Sequence, residues 1–136
     1  MVYHSRIKVR FCETDALGHV NNTSYFIYME EARVEFFEKI GFEMNANEWQ
    51  FILASASCDF LDQVRFNDVL LIETAVSKIG NKSFHLEQLM RIEATGKIAA
   101  KGHSVIVTYD FENQKSTRIP EEIRAELERH PAASSI

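Results

Sequence analysis

Between Phe51 and Phe111 the sequence keeps one period, two residues, through four successive segments. In FILASASCDFL, Ile52, Ala54, Ala56, Cys58 and Phe60 form an unbroken apolar parity. VLLIETAVSKIG carries Leu70, Ile72 and Val76; KSFHLEQLMRIEA carries Phe84, Leu86, Met90 and Ile92; IAAKGHSVIVTYDF carries Val105, Val107, Tyr109 and Phe111. Side chains alternate across a strand, so each segment reads as a strand with one buried face. Gly80-Asn81 and Gly96-Lys97 fall between segments and predict consecutive antiparallel hairpins.

One long helix precedes these strands. From Ser24 or Tyr25 to Ile40 the period is helical, and steps of about 100° put Tyr25, Phe26, Met29, Phe36, Phe37 and Ile40 on one side. Ala32 lies at the edge of that face, and Glu31, Glu35 and Glu38 lie opposite. Tyr28 and Ile27 fall off the main apolar stripe. Gly41 is a C-terminal stop, and Ser24 or Asn22 is the expected N-cap. About 16 residues give a helix of roughly 24 Å. Ahead of it, Val2 to Phe11 alternates, with Tyr3, Ile7, Val9 and Phe11 on the parity of Ser5. Beyond Pro120 the stretch EEIRAELER predicts a short helix, because proline suits a helix start.

One long helix against one antiparallel sheet is a two-layer α+β domain. The 136 residues fit one such domain, expected over residues 1–130, with residues 131–136 as a flexible C-terminal tail. With 46% hydrophobic and 26% charged residues, disorder, collagen and a disulfide scaffold are excluded. A net charge of −5 argues against nucleic acid as a partner, while leaving room for a local basic patch toward a phosphate-bearing small ligand. Cys12 and Cys58 have no zinc spacing and read as small core residues. No apolar run approaches the ~18 residues of a membrane span. The opening MVYHSRIKVRF is charged and alternating, unlike a leader, so the expected compartment is the cytoplasm.

The stretch RFCETDALGHVNN, Arg10 to Asn22, joins the first strand to the helix and fits neither period. As a turn, it uses Asp15 as a cap, Gly18 for a positive φ and Asn21 or Asn22 at the helix start. As a metal site it offers Glu13, Asp15 and His19, but without paired ligand spacing or a second cluster, and no metal is expected. As a catalytic loop it sets an acid just before a helix N-terminus, where free N–H groups and the dipole stabilise a developing oxyanion. A carboxylate beside that point can activate water or attack directly. No G-x-S-x-G elbow supports a serine triad.

The segment VRFCETDALGHVNNTSYFIYMEEAR, Val9 to Arg33, resembles the hotdog-fold acyl-CoA thioesterases of the 4-hydroxybenzoyl-CoA thioesterase class. The T-D-x-x-G loop, the Asn-Asn pair and the helix with Glu-x-Ala-Arg carry the likeness, and the strand–helix–four-strand order extends it over most of the chain. The resemblance implies a hotdog fold, an antiparallel sheet of about five strands wrapped around one long helix. It also implies a homodimer or homotetramer with sites at the subunit interface. On this likeness Asp15 is the catalytic carboxylate, and Asn22 presents the backbone N–H that polarises a thioester carbonyl. Some relatives have His at that position, so the Asn22 role rests on its backbone. Coenzyme A enters as part of the substrate, and no cofactor, nucleic acid or membrane insertion is expected.

Five further residues are candidates for substrate binding. His19 shapes the loop by hydrogen bonding. Asn21, which can donate and accept at once, holds the loop or orients Asp15. Asp59, on the polar parity with Ser55 and Ser57, can line a neighbour's site. Lys82 and Ser83, in the turn SKIGNKS with Lys78, suit the nucleotide end of coenzyme A, since lysine neutralises phosphate as a point charge. Arg33, in the middle of the apolar face, needs a partner; a structural ion pair, with Glu30 at i−3 near the edge of that face, or a helix-to-strand bridge is expected, and the rival is that Glu30 orients the catalytic loop or water. The expected activity is thioester hydrolysis. The rivals are a non-catalytic acyl-thioester-binding module, a thioesterase acting on acyl-ACP, and a hydratase, which would want a helix His that this chain lacks.

Overall fold

The computed structural model describes residues 2–42, 44–45 and 48–132. β1 (Tyr3–Lys8) passes through a 3₁₀ turn (Phe11–Glu13) and a loop into α1 (Asn22–Ile40). Then follow β2 (Phe51–Phe60), β3 (Val69–Ile79), β4 (Ser83–Ile92), β5 (Ile98–Asp110), the two-residue β6 (Lys115–Ser116) and α2 (Glu121–Glu128). All pairings are antiparallel, in the order β1-β3-β4-β5-β2, with β6 on β5. The predicted turns close the β3–β4 and β4–β5 hairpins, and Gly96 holds a φ of 74°. The result is the α+β hotdog architecture, one sheet around one long helix. No helix among the described residues is long and apolar enough to cross a membrane.

α1 begins two residues before the apolar period does. Asn21, not Ser24 or Asn22, is its N-cap: the Asn21 Oδ1 accepts the Thr23 N–H at 3.1 Å. Ser24 is buried instead, and its hydroxyl donates to the Glu13 carbonyl at 3.0 Å. Gly41 ends the helix at a φ of 104°, as expected. Tyr28 corrects the helical reading, because it is buried although it lies off the apolar stripe. Its hydroxyl has an acceptor in Glu13, which makes the burial of a tyrosine acceptable. Phe26, expected inside, is 39% exposed on the flank facing β2.

The helix covers the sheet face that carries Leu70, Ile72, Val76, Phe84, Leu86, Met90 and Ile106. Thr74, Gln88 and Ser104 are buried polar residues among them. Gln88 bridges helix and sheet, donating to the Met29 carbonyl at 2.9 Å and to the Thr74 hydroxyl at 3.2 Å. For β5 the expected parity is reversed. Ala100, Gly102, Ser104 and Ile106 are buried, while Val105 and Val107 lie on the other face, half-buried. Close approach of the helix explains this: a Cβ on Gly102 would stand 3.1 Å from the Met29 sulfur.

β2 departs from its unbroken apolar parity at a bulge. Leu53 pairs with Ile106 but Ser55 pairs with Val105, so Ala54 is the extra residue. The core-side set becomes Phe51, Leu53, Ala56, Cys58 and Phe60, and Ile52 moves to the outer face with Ser55, Ser57 and Asp59. Leu53 to Ser57 are nonetheless exposed on both faces, and among the described residues no strand pairs with the outer edge of β2. Phe11 belongs to the 3₁₀ turn and is exposed, packing on Phe66 rather than inward. Cys12 is likewise exposed, whereas Cys58 packs against the core as expected. After α2, Ala132 donates to the Val76 carbonyl at 2.8 Å, so the first residues of the expected tail run beside β3. Residues 133–136 lie outside the described residues.

Candidate active site

The loop between β1 and α1 is closed by its own backbone. Asp15 N–H donates to the His19 carbonyl at 2.7 Å, and Gly18 N–H to the Asp15 carbonyl at 3.1 Å. Gly18 supplies the positive φ this turn requires, at 81°. The Asp15 side chain folds back into the turn: Oδ1 accepts the N–H groups of Leu17 at 2.8 Å and His19 at 3.2 Å. One carboxylate oxygen is therefore fixed, and Oδ2 accepts no hydrogen bond from the described residues. The loop's far end is anchored by Val20 N–H on the Val64 carbonyl at 2.7 Å.

The adjoining helix start has one N–H to spare. Thr23 N–H is taken by the Asn21 side chain, and Ser24 N–H by the Asn21 carbonyl at 2.8 Å. The Asn22 N–H has no acceptor among the described residues. Asp15, His19 and Asn22 line a cavity of about 320 Å³, with Tyr25, Phe60 and Leu61 across from them. Tyr25 is held by donation to the Asp62 carbonyl at 3.2 Å. An anionic group, a helix N-terminus and an apolar wall thus meet in one concavity.

Behind the loop, and outside this cavity, sits a buried carboxylate. Glu13 Oε1 accepts Arg10 N–H at 2.7 Å and the Tyr28 hydroxyl at 2.9 Å; Oε2 accepts the Arg10 guanidinium at 2.8 and 3.0 Å. Burial alone would raise the Glu13 carboxyl, but these bonds outweigh it and hold the group below the usual carboxylate range. Burial and the Glu13 charge together push the Tyr28 hydroxyl far up, so it stays protonated as the donor. The Glu13 carbonyl in turn accepts Asn21 N–H at 2.9 Å, tying the two ends of the Asp15 loop together.

Of the residues the sequence selects, Asp15, His19 and Asn22 share this cavity. Asn21 stands beside it as the helix cap. Asp59 lies on the outer face of the sheet, where it lines a separate concavity of about 420 Å³ with Ser57, Lys101 and His103. Lys82 and Ser83 occupy the opposite end of the protomer, where the Lys82 carbonyl accepts Thr108 N–H at 3.0 Å. Arg33 is buried as expected, but no ion pair to Glu30 forms within the chain. Tyr25, Phe60 and Leu61 were not singled out as site residues, and neither was the Glu13–Tyr28 pair. The available signal was a tyrosine just off an apolar stripe, fifteen residues after an acid that needs donors. Among the described residues no three His, Cys, Asp or Glu side chains gather as a metal cluster.

Comparison with known proteins bears on the family and the fold. The family model of the thioesterase-like superfamily matches residues 9–127. The long-chain acyl-CoA thioesterase FadM of Escherichia coli is 29% identical over 92% of this chain and 96% of its own. A predicted thioesterase from Bacillus stearothermophilus superposes with a TM-score of 0.92 at 27% identity, covering 99% of this chain and all of the other. A Thermus thermophilus thioesterase solved with coenzyme A and Zn superposes with a TM-score of 0.82 at 31% identity, over 93% of this chain and 96% of that one. The chain therefore belongs to the thioesterase-like superfamily.

Proposed function

We propose that this thioester hydrolase cleaves acyl-CoA to a carboxylic acid and free coenzyme A, with Asp15 as general base or nucleophile. One observation carries the reading: the Asp15 carboxylate and the unengaged Asn22 N–H line the same cavity at the start of α1. A thioester carbonyl entering there meets a donor for its developing oxyanion. The Leu17 and His19 N–H groups hold Oδ1, leaving Oδ2 to take a proton from water or to attack the carbonyl itself. In the first route the water oxygen bonds to carbon, the C–S bond breaks, and the proton leaves with the thiol. In the second Oδ2 bonds to the carbonyl carbon, the C–S bond breaks as coenzyme A leaves as thiolate, and water then hydrolyses the mixed anhydride to the free acid and the Asp15 carboxylate, its proton passing to the thiolate. A thiolate leaves readily, so no strong general acid is needed. His19 borders the carbonyl site, and Asn21 fixes the helix start that presents the donor. No resident cofactor takes part. The FadM and Thermus relatives, named for acyl-CoA hydrolysis and for a bound coenzyme A, support this carrier.

The working unit in this reading is a pair of chains joined along the free edge of β2. That edge carries unpaired N–H and C=O groups, and small residues on both faces. Antiparallel pairing of two copies brings the Phe51 end of one β2 beside the Phe60 end of the other. The partner subunit's Lys82 and Ser83 then approach this site from across the sheet, which suits the nucleotide of coenzyme A, and Asp59 lies near the seam. Free-thiol release from a series of aromatic and aliphatic acyl-CoAs tests the activity. Folded Asp15→Asn protein is expected to lose about 10²–10⁴-fold in kcat. Near-wild-type kcat in that variant overturns the assignment.

A further inference from the structure

The uncontacted guanidinium of Arg33 points to a further contact across the β2 seam. Arg33 is 7% exposed, yet among the described residues it has neither a hydrogen bond nor an ion pair. Fully covered polar side-chain atoms without a partner are limited, among the described residues, to the Ser5 and Ser104 hydroxyls. The Arg33 nitrogens therefore still reach the surface while the stem is buried. Glu30, one turn earlier, is exposed and likewise lacks an ion pair. Glu30 acts on the Arg33 charge from one turn away, but no Glu30–Arg33 contact within ion-pair distance forms, so the Arg33 nitrogens, at the surface above a buried stem, are open to a contacting carboxylate from outside the chain.

The position of Arg33 says where. Phe26, Glu30, Arg33 and Phe37 follow one another at helical spacing along one flank of α1. This is the β2 flank: Phe26 packs on Phe60 with ring centroids 6.3 Å apart, and Phe37 on Phe51 at 4.5 Å. Read from the other end the order is aromatic, base, acid, aromatic, so an antiparallel copy sets acid opposite base and aromatic opposite aromatic. The pairs 26/37 and 30/33 share a midpoint between Glu31 and Ala32. Since Phe60 underlies Phe26 and Phe51 underlies Phe37, that midpoint lies over the centre of β2, between Ser55 and Ala56. A two-fold axis through the centre of a β2–β2 pairing thus passes between Glu30 and Arg33.

We propose that a second copy of this chain completes the flank, each Arg33 pairing with the partner subunit's Glu30 in two reciprocal ion pairs across the axis. The proposal rests on the β2 pairing above and adds the helix contact that selects the correct partner. An isologous interface repeats every contact twice, so one substitution removes two pairs.

Charge reversal tests it. Arg33→Glu protein has two acids on the flank, and Glu30→Arg protein has two bases. Each alone is expected to dimerise roughly a hundredfold more weakly than wild type, because like charges meet across the axis. Mixed in equal amounts they should form a heterodimer, measured by sedimentation velocity with one chain fluorescently labelled. An intrachain Glu30–Arg33 contact gives no such rescue on mixing, and that result overturns the proposal. Should Arg33→Glu fail to fold, surface variant Glu30→Gln decides alone. It should raise the dimer dissociation constant by about tenfold, and an unchanged constant overturns the seam. Either failure leaves Asp15 hydrolysis standing, since that is read from the activity of Asp15→Asn.

Discussion

At the scale of single residues, the loop owes its shape to Glu13 as much as to Asp15. Asp15 is exposed and bound only to its own turn, whereas Glu13 is buried under four donors and joins strand, loop and helix. Glu13→Gln keeps the size but loses the charge, and should cost about 1–3 kcal/mol of stability at neutral pH. The sign of its pH dependence follows from the lowered folded-state value. That stabilisation is present above the ordinary glutamate range, about 4.3, and is lost as pH falls through the lower folded value. Thermal melts from pH 7 to pH 3 should therefore show the gap between wild type and Glu13→Gln closing on the acid side. A gap independent of pH contradicts the charged clamp. The local pattern of acid, glycine and helix start points to this loop, and the family resemblance selects Asp15 and Asn22 within it. Glu13 is not marked by its own neighbours, since what distinguishes it is Tyr28, fifteen residues on and nearly two turns into α1.

Elements tell a similar story about what a period can and cannot reveal. Strand β4 and the first part of β3 follow their alternation faithfully, because both faces of each are set by neighbours within the sheet. β5 misleads, since its core side is built of Ala100, Gly102 and Ser104 and its more apolar parity points outward. Small residues there admit the helix, a packing need that hydrophobicity does not encode. Gly102→Ala asks the flexible Met29 side chain to give by a few tenths of an ångström. Gly102→Val asks for more and should cost about 1–3 kcal/mol as overpacking. Adding Met29→Ala should recover part of that loss in urea unfolding. Independent, additive losses in the double variant would show that the helix does not rest at this point. β2 hides its bulge for a different reason: Ala54 fits either parity, so one extra residue leaves no trace in the apolar pattern.

For the whole molecule, the separation of the predicted site residues is the informative fact. Asp15 and Asn22 stand by the Phe60 end of β2, and Lys82 and Ser83 by its Ile52 end, so within one protomer the four lie at opposite ends of the sheet. A sequence read as one chain gives no direction to that gap, whereas the bare edge of β2 does. If the nucleotide end of coenzyme A rests on the partner subunit's Lys82, Lys82→Ala should raise KM for acyl-CoA several-fold. It should leave a short acyl thioester without the nucleotide unaffected. Mixing supplies the stronger measurement. Asp15→Asn chains are expected to be inactive, and Lys82→Ala chains weak at low acyl-CoA. A mixed dimer holds one site in which Asp15 comes from the Lys82→Ala chain and Lys82 from the Asp15→Asn chain. Activity at low acyl-CoA should therefore rise on mixing above the sum of the separate proteins, and the rise should vanish with the nucleotide-free substrate. Strict additivity with both substrates would place Lys82 outside the working site and return the turn to an ordinary solvated hairpin.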